Sequence, residues 1–168
     1  MEIRYHNFLI RSWQPRDRAA AAELIRSVLS AYGLKFEPKG ADLDVLAVEA
    51  FYTERGGEFW VVEHEGLVVG TAAYYPIARG ENAVEIRKMY LFPGYRGLGL
   101  GRFLLETLEQ VIADRGFQQI WLETASVLVE AIQLYERNHY QTSTGVETAR
   151  CDRVYVKQLT LPLAPSAL

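Results

Sequence analysis

The chain has 168 residues, the length of one domain, and surface scaling predicts that about 70% of its unfolded surface can be buried, enough for a core without disulfides or structural metal. With 49% apolar and 23% charged residues, the composition is globular and excludes a disordered or fibrous chain. Eighteen Lys plus Arg against 21 Asp plus Glu leave a net charge of −3, which argues against a dedicated nucleic-acid binder.

Ile3–Arg11 reads as the first strand, followed by the turn Ser12-Trp13-Gln14-Pro15, with Pro15 suited to the first turn of a helix. Ala21, Leu24, Ile25, Val28, Leu29 and Tyr32 recur at helical spacing, and Gly33 supplies a stop. A polar loop, Lys35 to Asp42, leads to a second helix from about Leu43 to Glu54, capped by Asp42 and ended by Gly56-Gly57. Three extended runs follow, Glu58–His64, Leu67–Tyr75 and Ala83–Phe92, the first two joined by a tight Glu65-Gly66 turn. Beyond Arg96 the period changes, and Leu100, Phe103, Leu104, Leu108, Val111 and Ile112 form a helical stripe closed by Gly116. Gln118–Thr124 reads as a strand, Val129–Asn138 as a helix, and Tyr140–Thr144 and Arg153–Leu161 as closing strands. The order βααβββαβαββ predicts an α/β fold: a mixed, mostly antiparallel central sheet of about seven strands with helices on both faces.

The single Cys151 excludes an internal disulfide and a multi-cysteine zinc site, and His6, His64 and His139 lack metal-ligand spacing, so no metal is expected. Charges interrupt the apolar N-terminal stretch, and the longest nearly uncharged run, Leu67 to Ala78, is too short to span a bilayer. The expectation is a soluble cytoplasmic chain with no membrane or nucleic-acid partner. One domain covers residues 1–162, and residues 163–168 form a frayed tail.

The chemically informative segment runs from Tyr90 to Arg102, YLFPGYRGLGLGR, between an apolar strand and a strongly periodic helix. Glycines at alternating positions (Gly97, Gly99, Gly101) let the backbone approach a ligand, and the N–H groups at the helix start favour phosphate oxygens. Arg96 and Arg102 flank the loop and add charge-assisted hydrogen bonds. No Gly-Lys-Ser/Thr ending exists for a P-loop, and the spacing G-x-G-x-G does not fit the dinucleotide fingerprint.

The run R-x-x-G-x-G from Arg96 to Gly101, preceded by K-M-Y-L-F-P-G-Y-R-G, resembles the acetyl-CoA signature of the GCN5-related N-acetyltransferase (GNAT) family. A second block, Leu122-Glu123-Thr124-Ala125 followed by Glu130 to Arg137 and containing L-Y-E, is similar to the strand and helix that close over the pantetheine arm in that family. The resemblance extends to the element order over nearly the whole chain.

It implies acetyl-CoA as co-substrate, held by Arg96, Gly97, Leu98, Gly99, Leu100, Gly101 and Arg102 and by the backbone of Met89, Tyr90 and Leu91 on a bulged strand. Backbone donors there would act as an oxyanion hole. Arg137 is a candidate for the cofactor's 3′-phosphate region, with a solvated helix position as the alternative. Tyr135 matches the family tyrosine that protonates the departing thiolate. Glu85 is the candidate base, against a simple salt bridge to Arg87 or Lys88. His139-Tyr140 replaces the family's usual Gly-Phe and puts a histidine where glycine tolerates positive φ. Cys151 reads as a packed thiol.

The activity implied is direct N-acetyl transfer to a primary amine of a small molecule or peptide through a ternary complex. The alternatives are a catalytically silent CoA-binding module and the use of another acyl-CoA. A homodimer through the C-terminal strands is compatible with the resemblance.

Overall fold

The protein is described by a computed structural model over residues 1–160. Two short strands, β1 (Glu2–Tyr5) and β2 (Phe8–Ser12), precede α1 (Arg18–Ala31) and two single-turn helices, α2 (Leu43–Leu46) and α3 (Val48–Phe51). Three long strands follow, β3 (Glu58–His64), β4 (Leu67–Ile77) and β5 (Ala83–Leu91). Then come α4 (Leu100–Asp114), β6 (Gln119–Thr124), α5 (Val129–Arg137), β7 (Gln141–Ser143) and β8 (Arg153–Gln158). Among the described residues, eight strands form one sheet in the order β1-β2-β3-β4-β5-β6-β8-β7. Every pairing is antiparallel except β5 with β6.

The expected mixed, mostly antiparallel sheet is present, with one strand more than the sequence reading. The predicted first strand, Ile3–Arg11, is a hairpin: His6 adopts φ 50° and Tyr5 pairs with Phe8. A two-residue turn at His6-Asn7 leaves no glycine or proline cue, but Asn favours turns and His is among the residues that tolerate positive φ. The tail over residues 163–168 and the end of the predicted last strand, Leu161, lie outside the described residues.

The predicted second helix, Leu43 to Glu54, breaks at Ala47 (φ −137°, ψ 50°). The break lets its two halves serve different clusters. Val45 joins Leu24, Ile25, Val28 and Leu29 of α1, whereas Val48 and Tyr52 pack with Phe59, Val61 and Ala73. Tertiary packing here outweighs the helical period. Asp42, predicted to cap this helix, makes no cap hydrogen bond and is fully buried instead.

Helices cover both faces of the sheet. On one, α4 buries Leu100, Leu104, Leu105, Leu108 and Ile112 against Ile86, Ile120 and Leu122, with Tyr135 of α5 in the same cluster. Each such side chain contributes about 2 kcal/mol of transfer free energy, before the entropy cost of ordering the chain. On the other, α1 packs its Leu24–Leu29 stripe near Val68 and Tyr90.

Two irregularities position the site. First, β5 and β6 pair only over Ala83–Ile86 with Gln119–Leu122, then part. Second, β5 bulges: Thr71 faces Tyr90 while Ala73 faces Arg87, so β5 carries one extra residue, and Lys88 takes φ 52°.

The expected strain after α5 is present, since His139 sits at φ 67°. Its side chain is exposed, and no contact described rewards a histidine there. A left-handed non-glycine residue costs more than glycine at a helix C-terminus. His139→Gly is expected to raise stability by about 0.5–1 kcal/mol, read as a higher midpoint in urea unfolding. An unchanged or lower midpoint contradicts this account of the turn.

Candidate active site

Where β5 and β6 part, a cavity of about 590 Å³ opens, lined at one end by the glycine loop and at the other by charged side chains. At the loop end the backbone does the work. Gly97 and Gly99 take φ 75° and 77°, and a Cβ at Gly99 would approach the Tyr5 hydroxyl to 2.7 Å. Tyr5 also donates to the Leu98 carbonyl at 3.1 Å, pinning the loop to the first hairpin.

The first helical hydrogen bond of α4 runs from Phe103 N–H to the Gly99 carbonyl at 3.0 Å. The N–H groups of Leu100, Gly101 and Arg102 therefore have no helical acceptor and lie at the positive end of a 15-residue helix. Gly97, Gly99, Gly101 and Arg102 line the cavity, whereas the exposed Leu98 and the fully buried Leu100 do not.

The flanking cations differ. Arg96 is tethered, donating to the Leu91 carbonyl at 3.1 Å and to the Tyr32 hydroxyl at 2.7 Å. Arg102 is solvent-facing and paired with Glu106 one turn along α4. Arg137 is exposed at the cavity rim. This set suits an extended diphosphate ligand.

Along the middle of the cavity runs the free edge of β5. Phe92 N–H donates to the Val69 carbonyl at 3.0 Å, so antiparallel alternation assigns the Tyr90 N–H to the β4 ladder. The N–H groups of Met89 and Leu91 then fall on the opposite edge, which has no strand partner beyond Ile86 among the described residues. Of the three backbone positions expected from sequence, two are placed as donors. Tyr90 instead lines the cavity with its ring, and burial pushes its phenol up to about 12.

Tyr135 reaches the same stretch from α5, 6% exposed and packed near Tyr140 and Tyr155. Its hydroxyl has no hydrogen-bond partner among the described residues, lines the cavity, and is kept protonated by burial. Cys151 lines the same cavity as Tyr135 and Tyr90. Burial raises its thiol to about 11, despite the opposing pull of Arg150, Arg87 and Lys88.

Glu85 lies on the same wall, accepting from the Tyr75 hydroxyl at 3.2 Å. Burial holds its carboxyl above the ordinary range, with Glu123 and Glu147 adding to the effect and Arg87 opposing it. The salt bridge that competes with a base role exists only loosely, at 3.7 Å to Arg87.

What sequence reasoning missed is the frame around these groups. Asp42, fully buried, accepts four hydrogen bonds: from Lys88 Nζ at 2.6 Å, Arg150 Nη1 and Nη2 at 2.5 and 2.8 Å, and the Glu37 N–H at 2.8 Å. That uses the whole acceptor capacity of a carboxylate. Glu123 similarly accepts the Glu147 and Thr148 N–H groups at 2.7 and 2.8 Å, fixing the loop between β7 and β8. Lys88 was visible in sequence only as one of three charges, with Glu85 and Arg87, in a strand predicted to be central. Arg150 carries no such signal in its polar loop.

These donors hold Asp42 down at about 2, outweighing the burial that would raise it. A depressed carboxylate stabilises the fold above its unfolded value, and that contribution disappears as pH falls toward 2. Asp42→Asn is expected to cost about 3 kcal/mol near neutral pH, leaving Lys88 and Arg150 without their counter-charge. Its deficit relative to the unsubstituted chain should shrink as pH is lowered from about 4 to 2 in urea titrations. A deficit independent of pH would contradict the assignment.

Comparison with known proteins agrees with this geometry. The family model for the acetyltransferase (GNAT) family matches residues 22–140. An uncharacterized N-acetyltransferase of Escherichia coli K12, YjgM, is 38% identical over 125 residues, covering 72% of this chain and 74% of that protein. A probable N-acetyltransferase family 8 member 5 from mouse is 32% identical over 101 residues, 58% of this chain but only 44% of its own length. Among solved structures, a GNAT acetyltransferase from Staphylococcus aureus Mu50 superposes with a TM-score of 0.84 at 21% identity, covering 91% of this chain and 99% of its own. A putative acetyltransferase from Salmonella typhimurium, yncA, solved with acetyl-CoA, gives 0.72 at 24% identity over 96% and 99%. N-acetyl transfer with acetyl-CoA as co-substrate is the chemistry of the family these matches define. The chain belongs to the GNAT family of acetyltransferases.

Proposed function

We propose that this chain transfers an acetyl group directly from acetyl-CoA to a primary amine within a ternary complex. The observation that carries the reading is the Tyr135 hydroxyl, protonated, without a partner among the described residues, and open to the cavity beside the free edge of β5. Acetyl-CoA supplies an activated acyl group on a thiol leaving group.

The residues divide the remaining work. The N–H groups of Leu100, Gly101 and Arg102, with Arg96 and Arg102, bind the diphosphate. The Met89 and Leu91 N–H groups meet the thioester carbonyl, where negative charge grows as the amine adds. Glu85 accepts the proton that the attacking amine must lose, and its raised pKa improves it as a base. Tyr135 gives its proton to sulfur as the carbon–sulfur bond breaks. In balance, one N–C bond forms, one C–S bond breaks, and one proton passes from nitrogen to the released thiol by way of protein groups.

A covalent acyl-enzyme fits poorly. With its thiol near 11, Cys151 is ionised in only about one molecule in 10⁴ at pH 7. Incubation with acetyl-CoA alone should therefore leave the mass of the chain unchanged.

Tyr135→Phe is expected to lower kcat about 10²-fold or more with an active amine, while calorimetric titration shows acetyl-CoA affinity nearly intact. Unchanged turnover removes Tyr135 from the mechanism. For Glu85, the base is active when ionised, so kcat/KM should rise with pH through a value above the ordinary carboxylate range. Glu85→Gln should lower kcat/KM and abolish that acid limb. An acid limb retained in the variant assigns the base to another group.

A further inference from the structure

The guanidinium of Arg87 lines the cavity, is about four-fifths buried (20% exposed), and has no close partner. Its contacts are long: the Tyr75 hydroxyl at 3.2 Å, the Ala41 carbonyl at 3.4 Å, Asp44 at 3.5 Å and Glu85 at 3.7 Å. The more deeply buried arginines are held differently. Arg11 sits 2.7–2.8 Å from Asp17 and Glu63, and Arg150 sits 2.5–2.8 Å from Asp42. A charge-assisted bond to a carboxylate normally closes to about 2.7–2.9 Å. Arg87 therefore faces the cavity with donor capacity that no described residue takes up closely.

The charges around it give that spare capacity a sign. Arg87, Lys88 and Arg150 stand against Asp42, Asp44 and Glu85, while Glu123, which also lines the cavity, is engaged by Arg79 at 3.4 Å and by the Glu147 and Thr148 N–H groups. Asp42 is saturated by Lys88, Arg150 and a backbone N–H, so it has nothing left for Arg87. When Glu85 receives the proton of the attacking amine, Arg87 keeps only one of its two carboxylate neighbours, Asp44 at 3.5 Å. An acceptor bearing its own anion would replace the charge lost at Glu85.

Spacing restricts that anion. Glu85 and Arg87 are two residues apart on β5, with Oε1 and Nη1 separated by 3.7 Å. An amine at Glu85 and an anion at Arg87 must then sit close together on one small molecule. A planar guanidinium fork matches a carboxylate better than any other common anion except phosphate.

We propose that the acceptor is a free α- or β-amino acid whose carboxylate is bound by Arg87 while its amine faces Glu85. This rests on the reading of the chain as an N-acetyltransferase with Glu85 as proton acceptor. The N-terminus of a protein, whose α-carbon bears an amide in place of the carboxylate, is correspondingly a poor acceptor.

The test uses matched sets: common α-amino acids and β-alanine, their amides, the amines left when the carboxylate is removed, and a short amidated peptide. Initial rates with acetyl-CoA are measured for each, alongside calorimetric titration of acetyl-CoA. The expected result is kcat/KM at least about tenfold higher for an acid than for its amide or decarboxylated amine. In Arg87→Gln that ratio should fall toward one. Because it is a ratio within one preparation, partial misfolding of the variant cancels, and the preference of the unsubstituted chain stands as a separate measurement.

Transfer without preference for the acids, or faster transfer to the amidated peptide, overturns the proposal and leaves the transferase intact. An acid preference undiminished in Arg87→Gln also overturns the assignment to Arg87. Binding of acetyl-CoA without transfer to any member of the sets overturns this proposal alone, whereas failure to bind acetyl-CoA overturns the transferase reading and this proposal together.

Discussion

The buried carboxylate of Asp42 holds together three segments that are distant in sequence. Its four donors come from the loop after α1, from the bulge of β5 and from the loop between β7 and β8. Burying an ion pair gains little net stability over an apolar contact, because desolvation offsets most of the attraction. What it provides is geometry. Lys88 occupies a left-handed backbone position that a lysine does not favour, and its ammonium is tied to Asp42 while its carbonyl accepts from the Thr71 hydroxyl at 2.6 Å. The bulge is thus held from both the side chain and the backbone.

The consequences run along β5. One extra residue turns Arg87 and Lys88 toward the same buried acid, Asp44, and lets the strand leave β6 after Ile86. Unpaired backbone would be costly inside a continuous sheet. Here it borders a cavity, where a ligand's carbonyl or amide can satisfy it. The parting of two strands, which weakens the sheet locally, is what creates a donor edge beside the Tyr135 hydroxyl. β8 then closes the sheet beyond β6, pairing along its full length from Gln119 to Thr124.

How legible this was in the sequence depends on how local the determining contacts are. The glycine loop, its helix and the residues from Met89 to Arg102 form one continuous stretch, so pattern and resemblance reached them together. Strand β3 follows from a short continuous apolar run and the Glu65-Gly66 turn from residues able to take positive φ, which both adopt. The first hairpin was missed because a two-residue turn at His6-Asn7 interrupts a run whose alternation continues on both sides. The break at Ala47 was missed because Val45, Val48 and Tyr52 keep helical spacing even though they serve two clusters. Asp42 stood at the right place for a helix cap, but its partners lie 46 and 108 residues away.

The same distinction separates the two halves of the cavity. The half at the glycine loop uses mostly backbone groups and one helix terminus, which few side-chain changes can disturb. The half around Arg87 and Glu85 is assembled from β5, β6, the loop before α2 and the loop before β8, and is built from side chains. Substitutions in either loop can therefore alter charge around Arg87 and Glu85 without touching the glycine loop. Asp42 sets the limit of that freedom, since any loop that replaces these two must still deliver a carboxylate to Lys88. A chain that lost this acid would have to neutralise the lysine or straighten β5, and straightening β5 would close the gap between β5 and β6.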